Sequence, residues 1–135
     1  MSVLPTFVVE VALREERMDA KKWMEAYAKA WEKRDPELAA ALFTEDATYQ
    51  EDPFDEPMRG RDAIRAYWEA ATNFHRDVHM TWGEPVVSGG LLIAEWRTQY
   101  KRLDTGKQHE LRGIMLIEFD GELAKSLHEY WLRRP

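Results

Sequence analysis

The fold is decided by the stretch Leu91-Leu-Ile-Ala-Glu-Trp-Arg-Thr-Gln-Tyr100, in which apolar side chains recur at every second position. A period of two residues is typical of a β-strand with one buried face. We expect the buried face to carry the apolar members of this alternation, which are Leu92, Ala94, Trp96 and Tyr100. Glu95 and Arg97 then lie on the solvent face of the same strand.

Alternation on both sides of this stretch predicts a sheet in the C-terminal half of the chain. The further strands are expected at Val78–Trp82, Gln108–Phe119 and Leu123–Leu132. Sequences rich in Gly and Asp predict the turns, namely Gly89-Gly90, Asp104-Thr105-Gly106 and Asp120-Gly121. Strands joined by such short turns run antiparallel.

Helical spacing dominates the N-terminal half. Asp19 and Asp35 are typical helix N-caps, and Pro36 suits the first position of a helix. We therefore expect helices from Asp19 to about Lys33, from Pro36 to near Phe43 and from Arg61 to about Ala71, with a strand at Ala47–Glu51. In the second helix the expected inward residues are Leu38, Leu42 and Phe43. Helices followed by strands predict an α+β fold, with three helices packed on one face of a curved antiparallel sheet.

The composition excludes several classes of partner. The chain has 135 residues, which fits one domain, and its formal net charge is −6, with basic and acidic residues interleaved. A nucleic-acid-binding protein needs a basic face, so we expect no nucleic-acid partner, and the same charge disfavours an anionic membrane. Cys is absent, which excludes disulfides and thiolate metal sites and fits a cytoplasmic protein.

Residues 1–18 are expected to form an N-terminal extension of the α+β domain, which covers 19–135. The segment Thr6–Leu13 is rich in β-branched residues, which predicts a strand at the sheet edge or against a second subunit. It lacks the basic start and small-residue cleavage site of a secretory signal. Nowhere does the chain approach the ~18 consecutive apolar residues of a membrane span.

An ordered set of short motifs resembles a known family. The motifs are Tyr27-Ala-Lys-Ala-Trp-Glu-Lys-Arg-Asp35, Leu42-Phe43-Thr-Glu-Asp-Ala-Thr48, Glu51-Asp52-Pro53, Gly60-Arg-Asp-Ala-Ile64, Tyr67-Trp68, Phe119-Asp-Gly121 and His128-Glu-Tyr-Trp131. Over about residues 19–132 they are similar in order and spacing to SnoaL-like polyketide cyclases and steroid Δ-isomerases of the nuclear transport factor 2-like superfamily. The resemblance implies a cone-shaped, cystatin-like α+β roll around a pocket for a hydrophobic small molecule. It also implies a homodimer that pairs through the outer face of the sheet.

The same resemblance implies a catalytic site. In steroid isomerases the Glu-Asp-Pro carboxylate moves a proton between carbons, and a tyrosine on the first helix binds the enolate oxygen; these roles fall on Asp52 and Tyr27. The present chain has one residue more before the acid, so Glu51 is an alternative to Asp52 for the inward position. The second donor of the isomerases falls on Met115, which cannot donate a hydrogen bond.

His128 is the expected replacement for that donor. Matching the last strand to the isomerases turns Ala124, Ser126, His128 and Tyr130 toward the pocket. A carboxylate and an imidazole within hydrogen-bond reach suit acid–base chemistry, so the expected catalytic pair is Asp52 and His128, with Tyr27 as polariser. The side chains expected to contact the ligand are Trp31, Phe54, Trp96, Met115 and Tyr130.

Three functions stay open at this point. The first is a cofactor-independent isomerase, cyclase or dehydratase that moves protons on a hydrophobic carbonyl compound, in a pocket of several hundred Å³. The second is a non-catalytic ligand-binding domain, and the third is an association module whose interior is filled by its own side chains, among them Trp23, Trp31 and Met115. We expect no cofactor, because the sequence has no Gly-rich phosphate loop, and His75 and His79 fall where a strand replaces a helix.

Overall fold

The computed structural model of the protein describes residues 18–134. In this part of the chain the helices are α1 (Ala20–Glu32), α2 (Pro36–Ala40) and α3 (Arg61–Thr72). Asp19 caps α1 by accepting a hydrogen bond from the Lys22 amide at 3.0 Å. Asp35 caps α2 in the same way, with Pro36 at its start. These two helices thus begin where a short side-chain acceptor satisfies amides that have no partner within the helix, whereas Gly60 before α3 supplies no such acceptor.

The strands form one twisted sheet. They are β1 (Phe43–Gln50), β2 (Met58–Arg59), β3 (His75–Trp82), β4 (Val86–Ser88), β5 (Leu91–Arg102), β6 (Gln108–Asp120) and β7 (Leu123–Arg134). Their order is β2-β1-β7-β6-β5-β3, and β4 pairs with β5 beside β3. The α+β class is therefore confirmed for the described residues.

One pairing differs from the expected antiparallel sheet. β1 runs parallel to β7, whereas every other paired strand runs antiparallel to its neighbour. No short turn joins β1 to β7, so nothing local fixes their relative direction. The sheet is consequently mixed, and this pairing connects the N-terminal half of the domain to the C-terminal strands.

The boundaries of other helices and strands differ by a few residues from those expected from the sequence. The structure adds the short strands β2 and β4, and α2 ends at Ala40, so Leu38 is exposed instead of facing inward. Five residues are too few for a helix to bury a broad face, and the small Ala39 and Ala40 fill its contact with the core. The expected N-terminal strand at Thr6–Leu13 lies outside the described residues. None of the helices in 18–134 is both long and apolar enough to cross a membrane.

The core lies between the helices and the inner face of the sheet. On β5 the predicted alternation is confirmed, because the even-numbered residues from Leu92 to Tyr100 are buried while Glu95 and Arg97 are exposed. Aromatic rings from α1 and α3 fill the space above the sheet: Trp23 stacks on Tyr27, and Tyr27 meets the edge of Trp68. Such ring pairs bury apolar area and also favour defined orientations of the side chains relative to one another.

Gly113 on β6 is expected to be essential for this packing. A Cβ at this position would lie 2.6 Å from the Tyr130 carbonyl oxygen, 2.8 Å from the Trp131 Cβ and 2.9 Å from the Trp96 Cζ2. Gly113→Ala should therefore lower the free energy of unfolding by about 1–3 kcal/mol in urea titration. As a control, a Cβ at Gly83 meets no atom within 4 Å, and Gly83→Ala should change stability by about 0.5 kcal/mol or less. Equal effects of the two variants would contradict the role of Gly113.

Candidate functional site

A bulge in β7 determines which of its side chains face the interior. Ser126 pairs with Glu118 and Ala124 pairs with Phe119, so Lys125 has no partner on β6. One extra residue reverses the alternation that follows it. Leu127 and Glu129 are consequently buried.

The prediction that His128 faces the interior was wrong. His128 lies between the buried Leu127 and Glu129 and so points to the other side of the sheet, where it is half-buried. The prediction assumed a regular strand from Ala124 onward, whereas the bulge exchanges the two faces after Lys125. Glu129, which the sequence analysis did not select, takes the inward position.

Of the two acids that follow β1, Glu51 faces the interior. The strand ends at Gln50, and the half-buried Glu51 carboxylate accepts a hydrogen bond from the Tyr67 hydroxyl on α3. Asp52 is exposed, and its carboxylate accepts the Phe54 amide at 2.9 Å, which makes it part of a turn. Of the two acids that the sequence left open for the inward position, Glu51 therefore occupies it.

The carboxyl groups of Glu51 and Glu129 lie in hydrogen-bonding contact. β1 and β7 are neighbours, with Gln50 opposite His128, so the next residue on each strand brings the two acids together. Burial, and then the negative charge of Glu51, raise the pKa of Glu129 well above its ordinary value. Glu129 also donates a hydrogen bond to Glu51 in its protonated form, which raises this pKa further, while the Tyr49 hydroxyl opposes the shift. The raised pKa favours the protonated form of the Glu129 carboxyl group.

Three tyrosines surround the two acids. The Tyr49 hydroxyl donates to Glu129 Oε1 at 3.2 Å and lies 2.8 Å from the Tyr27 hydroxyl. Burial raises the pKa of Tyr27, Tyr49 and Tyr67 well above their ordinary value, so all three hydroxyls keep their protons. Tyr27, selected from the sequence, thus reaches the acids through Tyr49.

A pocket of about 50 Å³ lies beneath α3, next to these groups. It is lined by Trp31, Tyr49, Glu51, Tyr67, Trp68, Ala71, Thr72 and His75. Of the expected ligand contacts, Trp31 lines this pocket, while Trp96 and Met115 are buried in the core. This pocket is therefore much smaller than the several hundred Å³ expected from the sequence.

A larger groove of about 790 Å³ runs over the surface on the other side of Glu51. Its wall includes Asp52 and the two remaining expected ligand contacts, Phe54 and Tyr130, both of which are exposed. Glu51 borders the groove as well as the small pocket. It is thus accessible from the surface groove, while Glu129 behind it is buried.

His75 completes the wall of the small pocket. Its Nδ1 accepts the Trp31 indole N–H at 3.2 Å, and its ring stacks on Tyr100 with 3.9 Å between the centroids. Burial, followed by the positive charge of Arg102, lowers the pKa of His75 to about 4, so at neutral pH it is uncharged and its proton is on Nε2. His79 is exposed on the other side of a bulge in β3. Within 18–134 no group of three or more His, Asp and Glu side chains is placed to hold a metal ion.

The raised pKa of Glu129 gives a testable pH dependence. In the unfolded chain Glu129 ionises near the ordinary value of 4.5, but in the fold its pKa lies well above that value. The unfolded state then binds fewer protons, so the contribution of Glu129 to stability is full below pH 4.5 and falls as pH rises above it. Glu129→Gln removes this loss, so its free energy of unfolding should rise relative to wild type between about pH 5 and 8 in urea titrations.

The exposed Glu118 on β6 supplies the control for that measurement. Glu118→Gln removes one carboxyl group from the exposed face and should change the free energy of unfolding by about 0.5 kcal/mol or less. A pH-independent difference between Glu129→Gln and wild type would show that Glu129 is ionised in the folded protein.

Comparison with solved structures identifies similar folds. A hypothetical protein with a ketosteroid isomerase-like fold from Catenulispora acidiphila, in complex with trimethylamine, has a TM-score of 0.72 at 22% identity, over 80% of this chain and 83% of that one. SalBIII, an epoxide hydrolase/cyclase-like enzyme of pyran ring formation in the polyether salinomycin, has a TM-score of 0.73 at 15% identity, over 87% and 92%. A candidate isomerase from Bacillus subtilis has a TM-score of 0.71 at 19% identity, over 88% of each chain.

At these identities the three structures establish the fold alone. No curated protein matches the chain. The sequence profile of the SnoaL-like domain, however, matches residues 24–126, which is more than half of the chain. The match spans α1 through the first part of β7 and so includes Glu51 and all three tyrosines of the site. The protein therefore belongs to the SnoaL-like domain family.

Proposed function

We propose that the protein is a cofactor-independent enzyme that moves protons on a hydrophobic, carbonyl-bearing small molecule, as an isomerase, cyclase or dehydratase. The observation that carries this proposal is the pair of neighbouring carboxyl groups beside an open groove, of which Glu129 is buried and has a raised pKa. Structural pairs of carboxyl groups are costly to bury, whereas acid–base catalysis needs such unequal partners.

The two acids have different roles in this reaction. Glu51, which borders the groove, accepts a proton from a carbon atom next to the carbonyl group of the substrate. Glu129 keeps its own proton and stabilises Glu51 through the hydrogen bond between them. Glu51 then returns the proton to another carbon, which is isomerisation, or to a departing hydroxyl group, which is dehydration. Acid–base catalysis of this kind contributes about 10²–10⁴ to a rate.

The groove favours a hydrophobic substrate. Its apolar wall includes Ile114, Trp131 and Leu132 as well as Phe54 and Tyr130. Aromatic and aliphatic walls with a few polar groups are typical of small-molecule sites. The structural neighbours described as isomerase or cyclase-like support the same class of reaction. Proton transfer by carboxyl groups also needs no bound cofactor.

Deuterium exchange tests this proposal before the natural substrate is known. The protein is incubated in D₂O with a series of cyclic ketones, and exchange of the protons next to the carbonyl is followed by ¹H NMR. Wild type should accelerate the exchange, and Glu51→Gln should reduce the catalysed rate by about 10²-fold or more. Glu129→Leu should reduce it as well, because leucine cannot donate the hydrogen bond through which Glu129 stabilises Glu51.

Two further variants make the experiment decisive. Asp52→Asn distinguishes the exposed acid from Glu51, and the proposal predicts a change of less than about threefold, since Asp52 lies in a turn. Glu118→Gln on the outer face of β6 controls for the loss of one charge. Loss of exchange in Asp52→Asn with full activity in Glu51→Gln would overturn the assignment, and no exchange with any ketone would favour a binding protein.

We also propose that the protein forms a homodimer through the outer face of its sheet. This face carries exposed apolar side chains on neighbouring strands: Ile114 on β6 is directly opposite Tyr130 on β7, and Leu132 is 82% exposed. The loop residue Phe54 is 95% exposed beside them. Contiguous apolar patches of this kind mark association or ligand surfaces.

Sedimentation measurements test the dimer. Wild type should sediment as a dimer at micromolar concentration, and Leu132→Glu should shift it to monomer, because a charge would have to be buried at the interface. Leu103 is 51% exposed in the turn between β5 and β6, and Leu103→Glu should leave the dimer intact. A wild-type protein that is only monomeric under these conditions would refute the proposal.

A further inference from the structure

We propose that the segment Thr6–Leu13 docks as a strap into a groove of its own chain, at the N-terminal end of α1. This surface, the α1 groove, is separate from the groove that Glu51 borders and has no part in the proposed reaction. The placement of the strap is therefore independent of the acid–base chemistry.

The α1 groove has a volume of about 490 Å³ and a partly apolar lining from three parts of the fold. Trp23 and Ala26 belong to α1, Leu42 precedes β1, and Leu123 begins β7. The Trp23 indole N–H already donates to the Leu42 carbonyl oxygen at 3.2 Å. An occupant of this part of the groove thus gains affinity from apolar contacts, which bury the half-exposed Ala26, Leu42 and Leu123.

The segment is tethered at the edge of this groove. Met18 is 7% exposed and belongs to the hydrophobic core, so it fixes the chain directly before Asp19, which lines the groove. Leu13 lies five residues earlier and thus at most about 17 Å from Met18. A short tether of this kind gives a local concentration on the order of millimolar. The segment therefore has an advantage over any free ligand for the same surface.

The free edges of the sheet are less accessible to the same segment. They are β2 and β3. α1 reaches β3 with its C-terminal end, where Glu32 accepts the Met80 amide, and this end lies about 20 Å along the helix from Asp19. β2 pairs with Thr48 and Tyr49, at the far end of β1 from the groove. The α1 groove, by contrast, begins where the tether ends.

The sequence of the segment fits an apolar groove that is open to water on one side. In an extended chain alternate side chains point in opposite directions. One side of the segment is then entirely apolar, with Phe7, Val9, Val11 and Leu13. The other side carries Val8, Glu10 and Ala12. We therefore expect the first set to contact the apolar lining and Glu10 to face water.

Charges at the rim of the groove match the residues that follow the segment. The exposed rim residues are Asp19, Lys22 and Glu122. The tether Arg14-Glu-Glu-Arg17 carries two charges of each sign, so each rim charge has an opposite charge available. Exposed ion pairs contribute little to stability, and they would orient the segment while the apolar contacts supply the affinity.

Docking would also hold the part of α1 that supports the site. Trp23 stacks on Tyr27 with 5.3 Å between the ring centroids, and the Tyr27 hydroxyl lies 2.8 Å from that of Tyr49. A strap beside Trp23 therefore stabilises the first turns of α1 against the sheet. It leaves Glu51 accessible, because Glu51 borders the other groove.

Paramagnetic labelling of the full chain tests this placement. The chain has no cysteine, so Ala12→Cys creates a single site for a nitroxide spin label, on the side of the segment that faces water. In ¹H–¹⁵N spectra the label should strongly broaden the amide signals of Glu122 and Leu123, which are distant in sequence but line the groove. The amide of Leu103, in the turn at the other end of β6, should keep its intensity.

Two valines on opposite sides of the segment give a matched pair of variants in the labelled chain. Val11→Asp places a charge against the apolar lining and should lower the ratio of docked to undocked chains about tenfold or more, as expected when one buried valine is lost. Val8→Asp adds the same charge on the water side and should leave the broadening unchanged. A segment that is merely tethered would respond equally to both variants, so equal effects would overturn the proposal. Absence of broadening at Glu122 and Leu123 in the labelled chain would overturn it as well.

A mixed sample separates docking within one chain from docking onto a second copy. Spin-labelled chains without ¹⁵N and unlabelled ¹⁵N chains are unfolded together and refolded, so that any broadening comes from a neighbouring molecule. The proposal predicts unchanged signals for Glu122 and Leu123 in this mixture. Broadening there would place the segment of a second copy in the groove and overturn the assignment. If Val11→Asp fails to fold, the labelled chain and the mixture still decide.

Discussion

The parallel pairing of β1 with β7 is the constraint on which the rest of this structure depends. It is the contact through which the chain segment carrying α2 and α3 joins the C-terminal hairpins. It also aligns the residues that follow the two strand partners Gln50 and His128, which are Glu51 and Glu129. Without this pairing the two acids would not be neighbours. The pKa of Glu129 would then rise less, because the charge of Glu51 is one of the causes of the shift.

The carboxyl pair is an unfavourable element that the surrounding groups make tolerable. A buried ionised carboxylate without partners is strongly destabilising, and two neighbouring carboxylates are worse. Here the raised pKa of Glu129 favours its neutral form. The Tyr49 hydroxyl donates a hydrogen bond to Glu129, and the Tyr67 hydroxyl donates one to Glu51. Since apolar side chains of similar size would pack at this place at lower cost, the retained acids are better explained by chemistry than by stability.

Local sequence patterns predict most of the fold, but they do not predict that Glu129 belongs to the site. Alternation on β5 and the caps at Asp19 and Asp35 act within a few residues, and the structure has them as expected. The position of Glu129 depends on an unpaired Lys125, and no residue type there marks a bulge. Alternation along β1 would have placed Glu51 on the face of Tyr49, but its contacts with α3 and β7 are long-range.

The ligand groove and the proposed dimer interface use the same surface, which couples the two proposals. Phe54, Tyr130 and Leu132 line the groove and are also among the most exposed apolar side chains of the domain. A second copy placed on this face would cover part of the groove and withdraw its apolar wall from water. A ligand that fits between the two copies would then strengthen the dimer, and the dimer would strengthen ligand binding by the same factor. A ligand that needs the uncovered surface would weaken the dimer instead. The sign of this coupling therefore shows whether one chain or two form the complete site around Glu51.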